Sequence, residues 1–340
     1  MTISESESII KNINSEIDKC NNITVISHYN PDGDAIGSAL ALYLLLLKVN
    51  KNVNVIIPNK MPDFLKWMEG SNNVIVNEIN SKICDDIIIN SELFIAVDFN
   101  SLDRLSEMGK KIMNSKALKV LIDHHPDPED FGSLTLSDTK VSSAAELVYE
   151  IIAGSKHGEL FDKSIAECIY TGIMTDTVNF RHNVSIRTFE ILSKLLAKEI
   201  DIDDINGKIY DSFSKNRMNL LGYALDKKLT VLKEFNTAFI SLTKKELRKF
   251  NFKTGDSEGF VNYPLSIEGI KLSVLFLERD KEIKISLRSK GKIKANEIAV
   301  KHFNGGGHQK AAGGKSFDTM KNTIKKFENL LSIYKNDLEN

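Results

Sequence analysis

The feature that most constrains this chain is a repeated juncture, at which a short apolar run stops and an aspartate or histidine follows at once. Residues 23–27 lead into His28-Tyr29-Asn30-Pro31-Asp32-Gly33-Asp34, residues 93–97 stop at Asp98, and residues 117–122 stop at Asp123-His124-His125. A fourth carboxylate, Asp176, follows the periodic apolar segment 165–174. Helical periodicity over 35–49 and a further strand-like run at 53–58 alternate with these segments. Such alternation predicts an α/β fold with a mainly parallel, doubly wound sheet, and sheets of that kind gather polar side chains beyond the carboxyl ends of their strands.

The pattern changes twice along the chain. Residues 185–228 read as successive helical segments with no strand among them. From 229 onward strand-like runs return at 237–241, 272–277 and 283–287, with helices expected over 294–303 and 319–334. The expected organisation is therefore an α/β domain over 1–184 that carries the acid and histidine junctures, a helical connector over 185–228, and a smaller α/β domain over 229–340. A chain of 340 residues is long enough for two cores.

Charge narrows the partners. The formal net charge is −1, so no global basic field exists for capturing long nucleic acid. Between 281 and 315, however, nine Lys or Arg face two Asp or Glu. Cys20, Cys84 and Cys168 form no Cys-x-x-Cys pair, which argues against a disulfide framework or a zinc knuckle and for a reducing compartment. The N-terminus is polar and acidic, unlike a signal peptide, and the most apolar stretch, 35–47, is shorter than the roughly 18 residues a membrane span needs. A soluble cytoplasmic protein without a membrane partner is expected.

Local chemistry supports a metal site. Pro31 and Gly33 make a tight loop leaving a strand, and its two flanking aspartates can aim at neighbouring points. The competing structural role is an Asx-turn with Asp34 capping the following helix. Ser143-Ala144-Ala145-Glu146 has capping-box spacing and marks a helix start, and Asp162 is placed to cap the next one. Adjacent residues leaving a strand point in opposite directions, so one of His124 and His125 can ligate a metal while the other faces substrate. Carboxylates and imidazoles without thiolate suit Mn²⁺, Mg²⁺ or Zn²⁺. They outnumber what one ion needs, and Asp98 is the expected bridge. Two ions sharing a carboxylate activate water near neutral pH and clamp phosphoryl oxygens during displacement. No nucleophile elbow is present.

In the second half, Asn304-Gly305-Gly306-Gly307-His308-Gln309-Lys310-Ala311-Ala312-Gly313-Gly314 would let backbone N–H groups approach an anion, with a helix C-cap at Asn304-Gly305 explaining part of it. Arg288 is placed to supply a bidentate fork to phosphate.

These motifs together resemble the DHH/DHHA1 phosphoesterase superfamily over nearly the whole length. His28-x3-Asp32-x-Asp34, Asp98, Asp123-His124-His125 and Thr175-Asp176 match its four N-terminal motifs in order, and Gly305-Gly306-Gly307-His308-x2-Ala311-Ala312-Gly313 matches the glycine-rich signature of its second domain. The likeness is strongest to the bacterial nanoRNase (oligoribonuclease) and pAp-phosphatase branch. It implies that His28, Asp32 and Asp98 hold one Mn²⁺ and that Asp34, Asp98, His124 and Asp176 hold a second, with Mg²⁺ or Co²⁺ as alternatives. It gives His125 the substrate phosphate or leaving group, and Asp123 the orientation of the histidines. Arg104, Arg288, Gly305, Gly306, Gly307 and His308 become substrate contacts, with the second domain gripping a phosphate across the cleft. Asn304 departs from a fourth glycine common in relatives, though Asn tolerates left-handed backbone.

The implied substrates are short RNA or DNA oligonucleotides and nucleotides such as pApA and pAp. Three rivals stay open: a cyclic di-AMP phosphodiesterase with the same metals, an inorganic pyrophosphatase, which leaves the glycine motif unexplained, and a non-catalytic nucleotide-binding regulator. A homodimer is allowed and not required.

Overall fold

The computed structural model describes residues 3–339, which divide into one compact unit up to Ser212 and a second from Phe213. In the first unit the elements run α1 (Ile3–Lys19), β1 (Asn22–Ile26), α2 (Gly33–Lys48), β2 (Asn52–Ile57), β3 (Ile75–Val76), α3 (Ser81–Asn90), β4 (Leu93–Val97), α4 (Glu107–Asn114), β5 (Leu118–Asp123), β6 (Leu134–Ser137), α5 (Ala144–Ala153), α6 (Lys163–Asp176), α7 (Ile186–Leu196) and α8 (Ile202–Tyr210). The six strands form one parallel sheet in the order β3-β2-β1-β4-β5-β6.

The apolar runs are short and nearly unbroken because the sheet is covered on both faces. Every residue of β4 is buried. Leu93, Ile95 and Val97 pack into the core on one face, with α1, α2, α5 and α6, and Phe94 and Ala96 into the core on the other, with α3 and α4. The strand order reverses between β1 and β4, which is where open parallel sheets leave a crevice for ligands. Register aligns the ends of the three central strands at that crevice: Ile26 pairs with Ala96, and Val97 with Ile122. The residues that follow, His28, Asp98 and Asp123, therefore emerge side by side.

Glycine controls how closely α2 and α6 cross. A Cβ on Gly37 would overlap the Cys168 carbonyl oxygen, one on Gly33 would overlap Thr175 Oγ1, and one on Gly172 would lie 2.6 Å from Ala145 Cβ. No side chain but hydrogen fits at these three points, and the crossing carries Asp34 on α2 towards Asp176 on α6.

The second unit runs α9 (Lys215–Lys227), β7 (Leu229–Leu232), β8 (Thr237–Leu242), α10 (Lys244–Lys249), β9 (Leu272–Glu278), β10 (Ile283–Ser289), α11 (Ala295–His302), β11 (Gly306–Gly307), β12 (Ala311–Ser316), α12 (Met320–Leu331) and α13 (Lys335–Glu339). Its mixed sheet has the order β11-β12-β10-β9-β8-β7, in which β8 and β9 run parallel and the other neighbours antiparallel. Of the helices between 185 and 228, α7 and α8 lie in the first unit and α9 in the second.

Two local expectations need correction. The glycine-rich run is not an open loop: β11 and β12 pair, with Gly306 opposite Gly313 and Gly307 opposite Ala312. Its glycines answer to close backbone approach, since a Cβ on Gly305 would overlap the Gly313 carbonyl oxygen and one on Gly314 would stand 2.7 Å from that of Phe303. Asn304 does adopt the left-handed region, at φ 48°. The second correction concerns Ser143, which is the N-cap of α5 by position but makes no capping bond with its side chain. Its place is taken from elsewhere in the fold, as the candidate centre makes plain.

Candidate metal centre

The loop after β1 is shaped by its own aspartates. Asp32, not Asp34, caps α2: its Oδ1 accepts the amide hydrogens of Asp34 and Ala35, both at 3.1 Å. Asp34 is thereby carried into the first turn of α2, buried, where it caps a different helix. Its Oδ2 accepts from Ala144 N at 2.7 Å and its Oδ1 from Ala145 N at 2.9 Å, and Ser38 Oγ donates to Oδ1 at 3.2 Å. Asn30 enters this loop in the left-handed region, at φ 56°, held by reciprocal bonds with the Asn59 amide.

Asp98 stands just beyond β4 at φ 63°, a conformation Asp tolerates better than most residues. Its amide still donates to the Ile122 carbonyl, which ties it to β5. This turn aims its carboxylate between two imidazoles. Oδ2 lies 3.3 Å from His28 Nε2, and Oδ1 lies 3.4 Å from His124 Nε2 and 3.8 Å from His125 Nδ1. His124 Nε2 is also 3.7 Å from Asp34 Oδ2 and 3.6 Å from Asp176 Oδ2. Within the first unit, oxygen and nitrogen atoms thus converge in three groups, each within 4.8 Å: His28, Asp32 and Asp98; Asp34, His124 and Asp176; Asp98, Asp123 and His125.

The two adjacent histidines do not face opposite ways. β5 ends at Asp123, so strand alternation no longer applies to His124 and His125, and their rings meet edge-on with centroids 4.9 Å apart. Both reach Asp98. Asp123 Oδ1 lies 2.8 Å from His125 Nδ1, while its Oδ2 is buried without a hydrogen-bond partner.

The electrostatics of the group call for a cation. Burial and the neighbouring Asp98 drive the Asp34 carboxyl well above its ordinary range, even though two amides donate to it. Burial, reinforced by Asp98 and opposed by His124, pushes Asp176 up to about 6. Burial would raise Asp98 as well, but hydrogen bonds from His124 and His28 hold it well below the ordinary range. His124 is pulled well above its usual value, because Asp176, Asp98 and Asp34 outweigh its burial. Buried carboxylates crowded this closely retain protons unless a positive ion replaces them. Hard oxygen and borderline nitrogen donors without sulfur suit a divalent cation of the Mn²⁺, Mg²⁺ or Zn²⁺ type, so the residues fit the group.

A pH dependence follows. The Asp176 pKa rises from 3.8 to about 6 on folding, so its stabilising contribution in metal-free protein is complete below 3.8 and is lost as pH climbs through 6. A divalent cation would take the proton's place above that point. Calorimetry is expected to find Mn²⁺ binding about ten-fold weaker at pH 5 than at pH 7.5, since only roughly a tenth of a carboxyl with a pKa near 6 is ionised at pH 5. Equal affinity at both values would show that Asp176 does not take part.

The remaining expected residues stand on other elements. Arg104 sits in the 3₁₀ turn Leu102–Leu105, where its carbonyl accepts from Tyr29 N at 2.7 Å and its charge opposes protonation of His28. In the second unit, Arg288 on β10 pairs with Ala311 of β12, and Ala311 in turn exchanges backbone hydrogen bonds with His308 at 2.8 and 3.2 Å. Sheet register thus places Arg288 and His308 in one row. The Gly305 amide donates to the Ala299 carbonyl, and Gly306 and Gly307 pair with β12 at the edge of the sheet.

What the motifs did not announce are the amides of Ala144 and Ala145 that hold Asp34. The available signal was the spacing of small residues, Gly33 and Gly37 on one helix and Gly172 on another, which marks a close crossing.

Two family models match the chain: the DHH family, N-terminal domain, over residues 22–173, and the DHHA1 domain over residues 235–339. The chain is 30% identical to the probable bifunctional oligoribonuclease and PAP phosphatase NrnA of Streptococcus mutans, covering 92% of this chain and 95% of that protein. It is 28% identical to the bifunctional oligoribonuclease and PAP phosphatase NrnA of Bacillus subtilis, covering 85% and 88%. The crystal structure of an exopolyphosphatase-related protein from Bacteroides fragilis superposes with a TM-score of 0.92 at 44% identity, over 98% of each chain.

Proposed function

Because the chain belongs to the DHH/DHHA1 phosphoesterase family, we propose that it is a metal-dependent phosphoesterase that hydrolyses short oligonucleotides such as pApA to mononucleotides and removes the 3′-phosphate of pAp. The observation that carries this reading is the position of Asp98, one oxygen towards His28 and the other towards His124. A carboxylate placed between two donor groups is what a pair of divalent ions would share. His28, Asp32 and Asp98 would hold one ion, and Asp34, Asp98, His124 and Asp176 the other, with Mn²⁺ the preferred metal. Bound there, the ions would supply Lewis-acid activation of water and neutralise charge on the phosphoryl group.

The chain's own residues do the rest. Asp123 accepts from His125 Nδ1, which fixes the tautomer and leaves Nε2 as the atom that meets the substrate phosphate or the departing oxygen. Arg104 and, in the second unit, Arg288 would supply positive charge to phosphates, and His308 a hydrogen bond. A grip made of a few side chains selects a short chain or a chain end, whereas long strands need many phosphate contacts. The net charge of −1 agrees with that preference. The three cysteines, buried and unpaired, suit a reducing cytoplasm. No helix among the described residues is long and apolar enough to cross a membrane.

A substrate panel tests the proposal: pAp, pApA, a five-residue RNA, cyclic di-AMP and pyrophosphate, each with and without Mn²⁺. Turnover of pApA and pAp is expected to exceed that of cyclic di-AMP and pyrophosphate by about ten-fold or more, a difference of roughly 1.4 kcal/mol in transition-state binding. Fastest turnover of cyclic di-AMP would make the protein a cyclic-dinucleotide phosphodiesterase instead, and silence with every substrate would favour a non-catalytic nucleotide-binding role.

A further inference from the structure

The first turn of α5 is built in an unusual way. Ser143 and Glu146 have the spacing of a capping box, yet Ser143 makes no capping bond, and Glu146 Oε1 instead accepts from Ser142 Oγ at 2.5 Å. Ser143 Oγ and Glu146 Oε2 are buried without hydrogen-bond partners. A helix start normally uses such groups to satisfy its own exposed amides. Here the amides of Ala144 and Ala145 are given to Asp34, a residue more than a hundred positions earlier, one to each of its oxygens.

We infer that the N-terminus of α5 is a positioning element for the metal centre, holding both oxygens of Asp34 through the Ala144 and Ala145 amides, with the Ser142–Glu146 hydrogen bond keeping that turn in place. The inference rests on the reading of Asp34 as a metal ligand and extends it to residues that touch neither metal nor substrate. Each carboxylate oxygen has two lone pairs. The two amides fix the plane of the carboxylate; Ser38 Oγ takes the second lone pair of Oδ1, which leaves one lone pair of Oδ2 for a cation. Ser38 Oγ and the closely packed Gly172 limit the remaining freedom of Asp34, as a Cβ on Gly172 would come within 3.0 Å of Oδ1. Partners that orient metal ligands typically govern affinity by 10- to 100-fold.

Ala144→Pro is the direct test. Ala144 is the first residue of α5, a position where proline is compatible with the helix, and Ser143 before it is extended at φ −161° and ψ 161°, as a residue before proline must be. The substitution removes the N–H that reaches Asp34 Oδ2 and sets a ring carbon in its place. Metal-free wild type, Ala144→Pro and the control Lys163→Pro, at the first position of α6, would be titrated with Mn²⁺ by calorimetry and melted without metal. The expected result is a loss of about ten-fold or more in Mn²⁺ affinity for Ala144→Pro alone, with a metal-free melting temperature close to wild type. Equal affinity in wild type and Ala144→Pro overturns the positioning role while leaving the metal site intact. A wild type that binds no Mn²⁺ overturns the metal reading and this inference with it. Should Ala144→Pro not fold, Ser142→Ala decides: a loss of a few-fold that Ser142→Thr restores supports the role, and unchanged affinity overturns it.

Discussion

Replacement of Asp98 by alanine is expected to lower Mn²⁺-dependent hydrolysis of pApA by on the order of a thousand-fold, because several kcal/mol of charge stabilisation would depend on the ions this carboxylate is proposed to share. Both of its oxygens are engaged, 3.3 Å from His28 and 3.4 Å from His124, so no neighbouring acid can replace it without moving. The alanine variant carries a second burden. Asp98 sits at φ 63°, where alanine costs about 1–2 kcal/mol more than in an ordinary conformation. Asp98→Asn separates the two effects, since Asn accepts the left-handed backbone and keeps the shape while losing the charge. Both variants should remain folded by circular dichroism, with kcat/KM down by similar factors. Activity within ten-fold of wild type in Asp98→Asn would remove this residue from the centre of the mechanism.

Gly37→Ala is expected to destabilise the first unit strongly. Its Cβ would overlap the Cys168 carbonyl oxygen and lie 3.1 Å from Gly172 N, so backbone rather than a mobile side chain must yield. Overpacking of this kind costs roughly 1–3 kcal/mol, and the upper end applies where backbone blocks relaxation. For a unit of this size that corresponds to a fall of roughly 6–12 °C in melting temperature. The change also separates α2 from α6, and with them Asp34 from Asp176, so Mn²⁺ affinity should fall together with stability. Gly207→Ala on α8 is the contrasting case: nothing lies within 4 Å of its new Cβ, and replacing glycine inside a helix gains up to about 1 kcal/mol. A Gly37→Ala variant that melts with wild type would refute the close-crossing account.

Much of this architecture was legible in the sequence because it follows from short-range rules. Parallel strands covered on both faces must be short apolar runs, so β1, β4 and β5 announced themselves, and the residues at their ends were placed correctly at one sheet edge. Less accessible was which aspartate did what in Asp32-Gly33-Asp34. Both are one turn from a helix start, and only the tertiary approach of α5 decides that Asp32 caps α2 while Asp34 caps α5. The same approach cancelled the capping box at Ser143, whose spacing was right and whose local partner had been displaced. Strand alternation failed for His124 and His125 because the strand ends one residue earlier. In the second unit, β11 and β12 were hidden in Gly305–Gly314, since glycine has low strand propensity and no side chain to betray a register. The close backbone approaches at Gly305 and Gly314 are what select it there.

The measurement that tests the central claim most directly is a titration of metal-free protein with Mn²⁺ in which bound metal and pApA hydrolysis are followed together. Two equivalents per chain are expected, with AMP released only as the site fills and turnover abolished again by a chelator. Hydrolysis of pApA at full rate in the metal-free protein, or none once two equivalents are bound, would contradict the account.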